Sequence, residues 1–154
     1  MPLDPSFIGK QYPPSEPFLV SREKIAEFAE AIGDPNPAYR SVAAAHALGH
    51  PDVVAPPTFL VILTMRSSTQ VVFDPELGLD YSMVVHGDQS FAYKRPVVAG
   101  DRLVVVGSVD NIRSAAGNDL LSLRSEVSTA DGHLVCTARS TIVSRGTAAQ
   151  EAGT

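Results

Sequence analysis

Residues 33 to 39, Gly33-Asp34-Pro35-Asn36-Pro37-Ala38-Tyr39, set a carboxylate and, five positions on, a phenol on a short turn stiffened by two prolines. A carboxylate can serve as one half of a general acid/base pair, provided that a second group moves the other proton at neutral pH. Tyr39 is poorly suited to act as a base, because a phenol with a pKa near ~10 is about 99.9% protonated at pH 7. It can donate a hydrogen bond or line a pocket with its ring. Asp34 and Asn36 also have a plainer use, since both residue types close turns and cap backbone groups beside proline.

The elements around this turn are legible from spacing. Five prolines (Pro2, Pro5, Pro13, Pro14, Pro17) make the first 17 residues an extended lead-in. Phe18 to Val20 reads as a short strand. Ser21 is a fitting N-cap, and Ile25, Phe28, Ala29 and Ile32 fall on one face, so a helix runs from Arg22 to Ile32 and stops at Gly33. The Asp34 turn is thus presented at a helix end. Ser41 caps a short Ala-rich helix through Leu48, ended by Gly49, and 53 to 58 is a loop. From Thr58 to about Val72 the near-continuous apolar content predicts a central helix, capped by Thr58 and wrapped on all sides, and residues 74 to 82 a loop. Four strands follow, Met83–Lys94, Asp101–Ile112, Leu120–Thr129 and His133–Ser144, joined through Gly100-Asp101, Gly117-Asn118 and Asp131-Gly132. The last alternates, with Leu134, Cys136, Ala138, Ser140 and Ile142 on one face and Val135, Thr137, Arg139, Thr141 and Val143 on the other. This order predicts an α+β domain over 1–145 whose sheet curls around a helix, followed by a disordered tail, 146–154. The edges of such a sheet are commonly lost by pairing with another chain.

Composition removes several functions. The chain has 154 residues, with 44% apolar and 19% charged, an ordinary globular balance. Its net charge of -5 and the lack of a Lys/Arg run argue against nucleic acid. Arg40, Lys94, Arg95 and Arg102 form at most a local patch for a phosphate-bearing arm or an acidic carrier. One cysteine cannot form an internal disulfide, the N-terminus lacks an export pattern, and Phe59–Met65 is too short to span a membrane; these point to the cytoplasm. His46 and His50 have helical metal spacing, but Gly49 interrupts and no Glu follows the first, so no metal is expected. No Gly-x-Ser-x-Gly elbow, dinucleotide fingerprint or phosphate loop occurs, so no cofactor is expected. Cys136 reads as a buried hydrophobe.

Four stretches in order carry a resemblance: Gly33-Asp34-Pro35-Asn36-Pro37, Ala55-Pro56-Pro57-Thr58-Phe59, His86-Gly87-Asp88-Gln89-Ser90-Phe91, and Arg95-Pro96 followed by Gly100-Asp101. They span most of residues 18 to 105 and resemble the MaoC-like (3R)-hydroxyacyl thioester dehydratases and hydratases, specifically the single-domain type related to the N-terminal half of longer members. The resemblance implies a hot-dog fold, a long helix wrapped by an antiparallel sheet, with two such folds side by side. Asp34 matches the family's catalytic Asp and Asn36 its motif Asn, whereas Tyr39 stands where the motif has His. In two-subunit members, such as the dehydratases of mycobacterial fatty-acid elongation, one chain carries Asp and His while the other resembles this one, helping to form the acyl tunnel and stabilising its partner.

The expectation is therefore a subunit of a hydro-lyase of acyl metabolism, weak or inactive alone, paired with a His-bearing MaoC-like chain or with itself. Asp34 is the candidate catalytic group, and Asn36, Tyr39 and His86 are candidates for the substrate site. His86 is included because its strand could border that site, although a structural hydrogen bond is its simpler role. Two alternatives stay open: a non-enzymatic acyl-binding or assembly module, and a homodimeric thioesterase in which Asp34 activates water. The residues do not distinguish coenzyme A from a carrier protein, nor do they set the acyl length.

Overall fold

The computed structural model describes residues 2–147. A two-residue strand β1 (Phe18–Leu19) leads into α1 (Arg22–Ala31), a short α2 (Val42–Ala47) and α3 (Val61–Val72). Then come β2 (Val84–Tyr93), β3 (Arg102–Ala115), β4 (Asn118–Thr129) and β5 (Leu134–Ser144). They form one antiparallel sheet in the order β1-β3-β4-β5-β2. Bulges interrupt the register between His86 and Asp88, Val109 and Asn111, and Val127 and Ser128. Each extra residue bends its strand and increases the local twist, which suits a sheet that must curl. The curled sheet against α3 is the α+β hot-dog architecture that the resemblance implied.

Helix α3 lies on the concave face through Leu63, Thr64, Ser67, Val71 and Val72. It approaches β3 so closely that a Cβ at Gly107 would fall on the Ser67 hydroxyl. The core divides in two. One cluster gathers Ile25, Ala29, Phe59, Leu60, Leu63, Leu103 and Val127; the other gathers Val71, Leu77, Val109, Leu121, Leu123 and Ile142.

Three expectations need correction. Thr58 does not cap α3: the chain first turns through Pro57–Leu60, the helix starts at Val61, and its N-cap is Leu60 with no side-chain cap bond. The Pro56-Pro57 pair sets that turn, because each ring fixes φ and constrains the residue before it. Nor is α3 wrapped on all sides, since Met65, Arg66, Thr69 and Gln70 face solvent. A single curled sheet covers only one side of a helix. Finally, on β5 Leu134 is exposed and Val135 buried, because Val135 is the unpaired residue between Ser128↔Leu134 and Val127↔Cys136.

At the expected tail, Gly146 N donates to Asn118 Oδ1 (2.9 Å), and the Thr147 hydroxyl donates to the buried Asp119 carboxylate (2.8 Å). Residues 148–154, where the rest of that tail falls, lie outside the described residues. Among the described residues, no helix is long and apolar enough to cross a membrane.

Candidate active site

The turn after α1 is built by its own side chains. The Ser21 hydroxyl accepts from Lys24 N (3.1 Å) to start the helix, and Ile25 and Ala29 anchor it in the core. Gly33 takes φ 70°, a left-handed conformation that favours glycine, and Asp34 N donates back to Ala29 O (2.9 Å). Asp34 Oδ1 then accepts from Asn36 N (3.0 Å), and Asn36 Oδ1 accepts from Ala38 N (3.0 Å). Two successive side-chain-closed turns thus feed a 3-10 turn, Pro37–Tyr39, and fix where the Tyr39 ring goes.

Tyr39 is buried. Burial raises its phenol pKa, the Asp34 charge raises it further, and a hydrogen bond with the Asn36 side chain offsets part of the rise. Tyr39 therefore stays protonated, a donor and a wall rather than a base. The residue lines a half-open groove of about 510 Å³ together with Asn36, Ala38, Leu48, Val54, Ala55, Pro57, Tyr93, Arg95 and Val97. Burial likewise raises the Tyr93 phenol, whose hydroxyl donates to Pro57 O (2.6 Å). Small and branched apolar side chains with a few polar groups suit an acyl chain bearing one polar function.

The candidates divide. Asn36 and Tyr39 share the groove wall, and Asp34 lies beside them in sequence and charge. Its carboxylate is outside the groove lining and already accepts from the Asn36 backbone. His86 is elsewhere: it is exposed on β2 and lines a separate depression of about 70 Å³ with Met65, Phe73 and Tyr81. The structure does not bring it together with Asn36 and Tyr39 in one groove: β2 is long enough to place His86 beside the C-terminal half of α3 while Tyr93, at its other end, reaches the groove.

Several lining residues were not anticipated. Tyr93 is the last residue of β2, Leu48 and His50 follow α2, and Val54, Ala55 and Pro57 come from the loop before α3. Spacing along the sequence carries no signal for such convergence, although Ala55-Pro56-Pro57 was visible as an ordered match. Of the basic patch, Lys94 and Arg95 meet at the groove. Arg95 is held by Asp101 through two bonds (2.8 and 3.0 Å), and Arg40 leans to Glu30 (3.6 Å). Arg102 sits opposite Leu19, outside the groove. The ring of His46 bonds to Pro51 O (2.9 Å) while His50 lines the groove, and no group of three or more potential metal ligands occurs among the described residues. Cys136 is fully buried and its thiol pKa is raised by burial, the opposite of what a nucleophile needs.

Comparison with known proteins gives a consistent picture. Residues 6–138 match the model of the FAS1-like dehydratase domain region. A protein of Saccharopolyspora erythraea known as a UPF0336 protein is 58% identical over 153 residues, covering 99% of this chain and 98% of that one. Among solved structures, the C-terminally truncated HadBC (3R-hydroxyacyl-ACP dehydratase) complex of Mycobacterium tuberculosis superposes with a TM-score of 0.78 at 32% identity, over 89% of this chain and 96% of that one. A MaoC-like dehydratase superposes with a TM-score of 0.84 at 32% identity, over 91% of this chain and 42% of that longer one.

Proposed function

This chain belongs to the family of the FAS1-like dehydratase domain region, and from that premise we propose that it is a cytoplasmic subunit of a (3R)-hydroxyacyl thioester dehydratase or hydratase. Its role is to bind and orient the acyl chain and to support a His-bearing MaoC-like partner that does the proton transfer. One observation carries this reading: the motif turn is intact and opens on an apolar groove of about 510 Å³, yet the position for its second proton carrier holds a buried, protonated phenol. The groove has walls for a substrate and no working acid/base pair. The HadBC structure, by its own description a complex with 3R-hydroxyacyl-ACP dehydratase activity, supports the two-chain form.

The partner's Asp and His would remove the proton beside the thioester carbonyl and protonate the departing hydroxyl. Here, Tyr39 supplies an O–H donor on the groove wall, and Tyr93, tied to Pro57 O, fixes the end of β2 to the loop before α3 along that wall. The test is hydration of crotonyl and longer 2-enoyl thioesters by the purified chain, by a His-bearing MaoC-like chain, and by the two co-expressed. Turnover that is largest in the mixture supports the proposal. Full activity of this chain alone refutes it, and free thiol release in place of hydration points to a thioesterase.

A further inference from the structure

The groove beside Tyr39 carries a charge pattern that an alkyl chain alone does not call for. The chain holds 17 Asp and Glu against 12 Lys and Arg, yet among the described residues no acid lines the groove, whereas His50, Lys94 and Arg95 do. An ionised group covered by an apolar ligand loses water and gains no partner, so a site built only for hydrocarbon is better off without one. These basic residues are also gathered in one place. Lys94 and Arg95 directly follow β2, and His50 and Arg95 are shared with a second depression of about 390 Å³ that Asp101 and Val98 help to line.

Their donors are positioned and not used up. Arg95 Nη1 donates to Asp101 Oδ2 (2.8 Å) and to Pro96 O (2.9 Å), and Nη2 donates to Asp101 Oδ1 (3.0 Å). Asp101 Oδ2 also accepts from Val98 N (3.0 Å), and this carboxylate lines the second depression without lining the groove. A guanidinium has five N–H groups, so Nε–H and one N–H of Nη2 stay available in a fixed orientation. Arg22 is paired with Asp52 and Arg40 with Glu30, whereas Lys94 has no carboxylate partner among the described residues. Its backbone is anchored, since Lys94 N donates to Val135 O (2.8 Å). His50 follows Gly49 at φ 87°, and its own N–H donates to Ala45 O (3.0 Å). The ring of His46 is engaged by Pro51 O, but that of His50 makes no hydrogen bond among the described residues.

We propose that His50, Lys94 and Arg95 form an anion subsite where the groove meets the second depression, so that the ligand of this chain is an amphipathic anion, an apolar chain ending in a phosphate or a carboxylate. This rests on the acyl-binding reading above and deepens it. Two sources supply that chemistry: the phosphate of a phosphopantetheine arm, common to coenzyme A and carrier proteins, and the carboxylate of a free fatty acid. Hydrogen bonds from charged donors to such oxygens are about twice as strong as neutral ones. In a chain of net charge -5, a local basic site also orients the ligand, its anion at these three residues and its hydrocarbon against Ala38, Val54 and Ala55.

The test is calorimetric titration of the full-length chain, alone and co-expressed with a His-bearing MaoC-like chain, with S-decyl-4′-phosphopantetheine, S-decylpantetheine, decanoate and decanol. At least one anion should bind about 10-fold or more tightly than its neutral counterpart, and the preference should shrink as salt rises from about 50 to about 500 mM. Preference for the phosphorylated thioether identifies the pantetheine arm as the source, and preference for decanoate alone identifies a free acid. His50→Ala with Lys94→Ala should cut the preference to about 2-fold or less, and Lys94→Glu should reverse it. Failure of both anions to bind better than their neutral counterparts, or a preference that survives in the double variant, overturns the inference. A co-expressed pair that hydrates enoyl thioesters without any anion preference sinks this inference and spares the function; an anion preference in a chain that supports no hydration with any His-bearing partner does the reverse.

Discussion

A Tyr39→His variant introduces an imidazole into a groove otherwise unchanged, and its activity can be bounded from the local chemistry. A phenol at or above a pKa of ~10 is at most about 0.1% ionised at pH 7, whereas an imidazole near ~6.5 is about 75% in its basic form. The population of usable base therefore rises by roughly 10³, the ceiling on any gain in rate from this term. The geometry removes most of it. Asp34 Oδ1 already accepts from Asn36 N at 3.0 Å and the carboxylate is not among the groove-lining groups, so it is committed to the turn and does not bear on a substrate in the groove beside the new ring. A positioned acid or base contributes about 10²–10⁴-fold, and that factor depends on both groups bearing on one substrate. We expect the variant alone to hydrate crotonyl thioester less than about 10-fold faster than the wild-type chain. Loss of enoyl-thioester absorbance by partner-free protein measures this, with thermal unfolding as a control for the cost of a smaller side chain at a buried site, about 1–2 kcal/mol. A gain of about 10²-fold or more, with a bell-shaped pH profile, would show that Asp34 and position 39 do face one substrate, and the argument from the occupied carboxylate would be wrong.

Three further outcomes follow from other parts of the molecule. Ala55 is buried and lines the groove, so, on the function proposed above, Ala55→Leu should shorten the preferred acyl chain of the co-expressed pair; an unchanged length profile across C4 to C16 substrates would place the acyl chain elsewhere. Gly107→Ala should cost about 1–3 kcal/mol by overpacking against the Ser67 hydroxyl, and Ser67→Ala should recover much of it, because the nearest remaining contacts are the Ser67 Cβ at 3.5 Å and its carbonyl at 3.6 Å. Denaturant melts of the double-mutant cycle check this, and additivity would refute the close approach of α3. The Arg22 guanidinium, with two bonds of 2.9 Å, and Val53 N hold the Asp52 carboxyl at a pKa of about 2. A lowered folded-state pKa gives stability present above the unfolded value, near ~3.9, and lost as pH falls toward 2. Asp52→Asn should therefore flatten stability between pH 4 and pH 2, and an identical acid limb in the variant would contradict it.

The sequence disclosed what is set locally. Ser21 and Ser41 cap the helices assigned to them, Gly33 and Gly49 end those segments with positive φ, and all four long strands occur within a few residues of their expected bounds. Between β3 and β4 the turn is Ala116-Gly117, one residue earlier than the Gly117-Asn118 expected, with Ala116 at φ 51°. Here the ladder pairing Ala115 with Asn118 overrode residue preference. Long-range outcomes were not legible. The open face of α3 depends on how far one sheet can curl, and burial of Val135 depends on a bulge. The groove draws on four separated segments around residues 36–39, 48–50, 54–57 and 93–97. His86 illustrates the same limit: sequence order places it seven residues from Tyr93 on one strand, yet the two line separate depressions.

Retention of the Asp-x-Asn-Pro frame without its imidazole also has a physical account. Asp34 and Asn36 each satisfy a backbone N–H, of Asn36 and of Ala38, in a segment that is neither helix nor strand. These bonds set the path that brings Ala38 and Tyr39 into the core and the groove wall. A turn held in this way does its structural work whether or not the carboxylate moves a proton, so loss of the second acid/base group leaves the fold and the groove intact. Chemistry could therefore pass to one subunit while the other kept the walls.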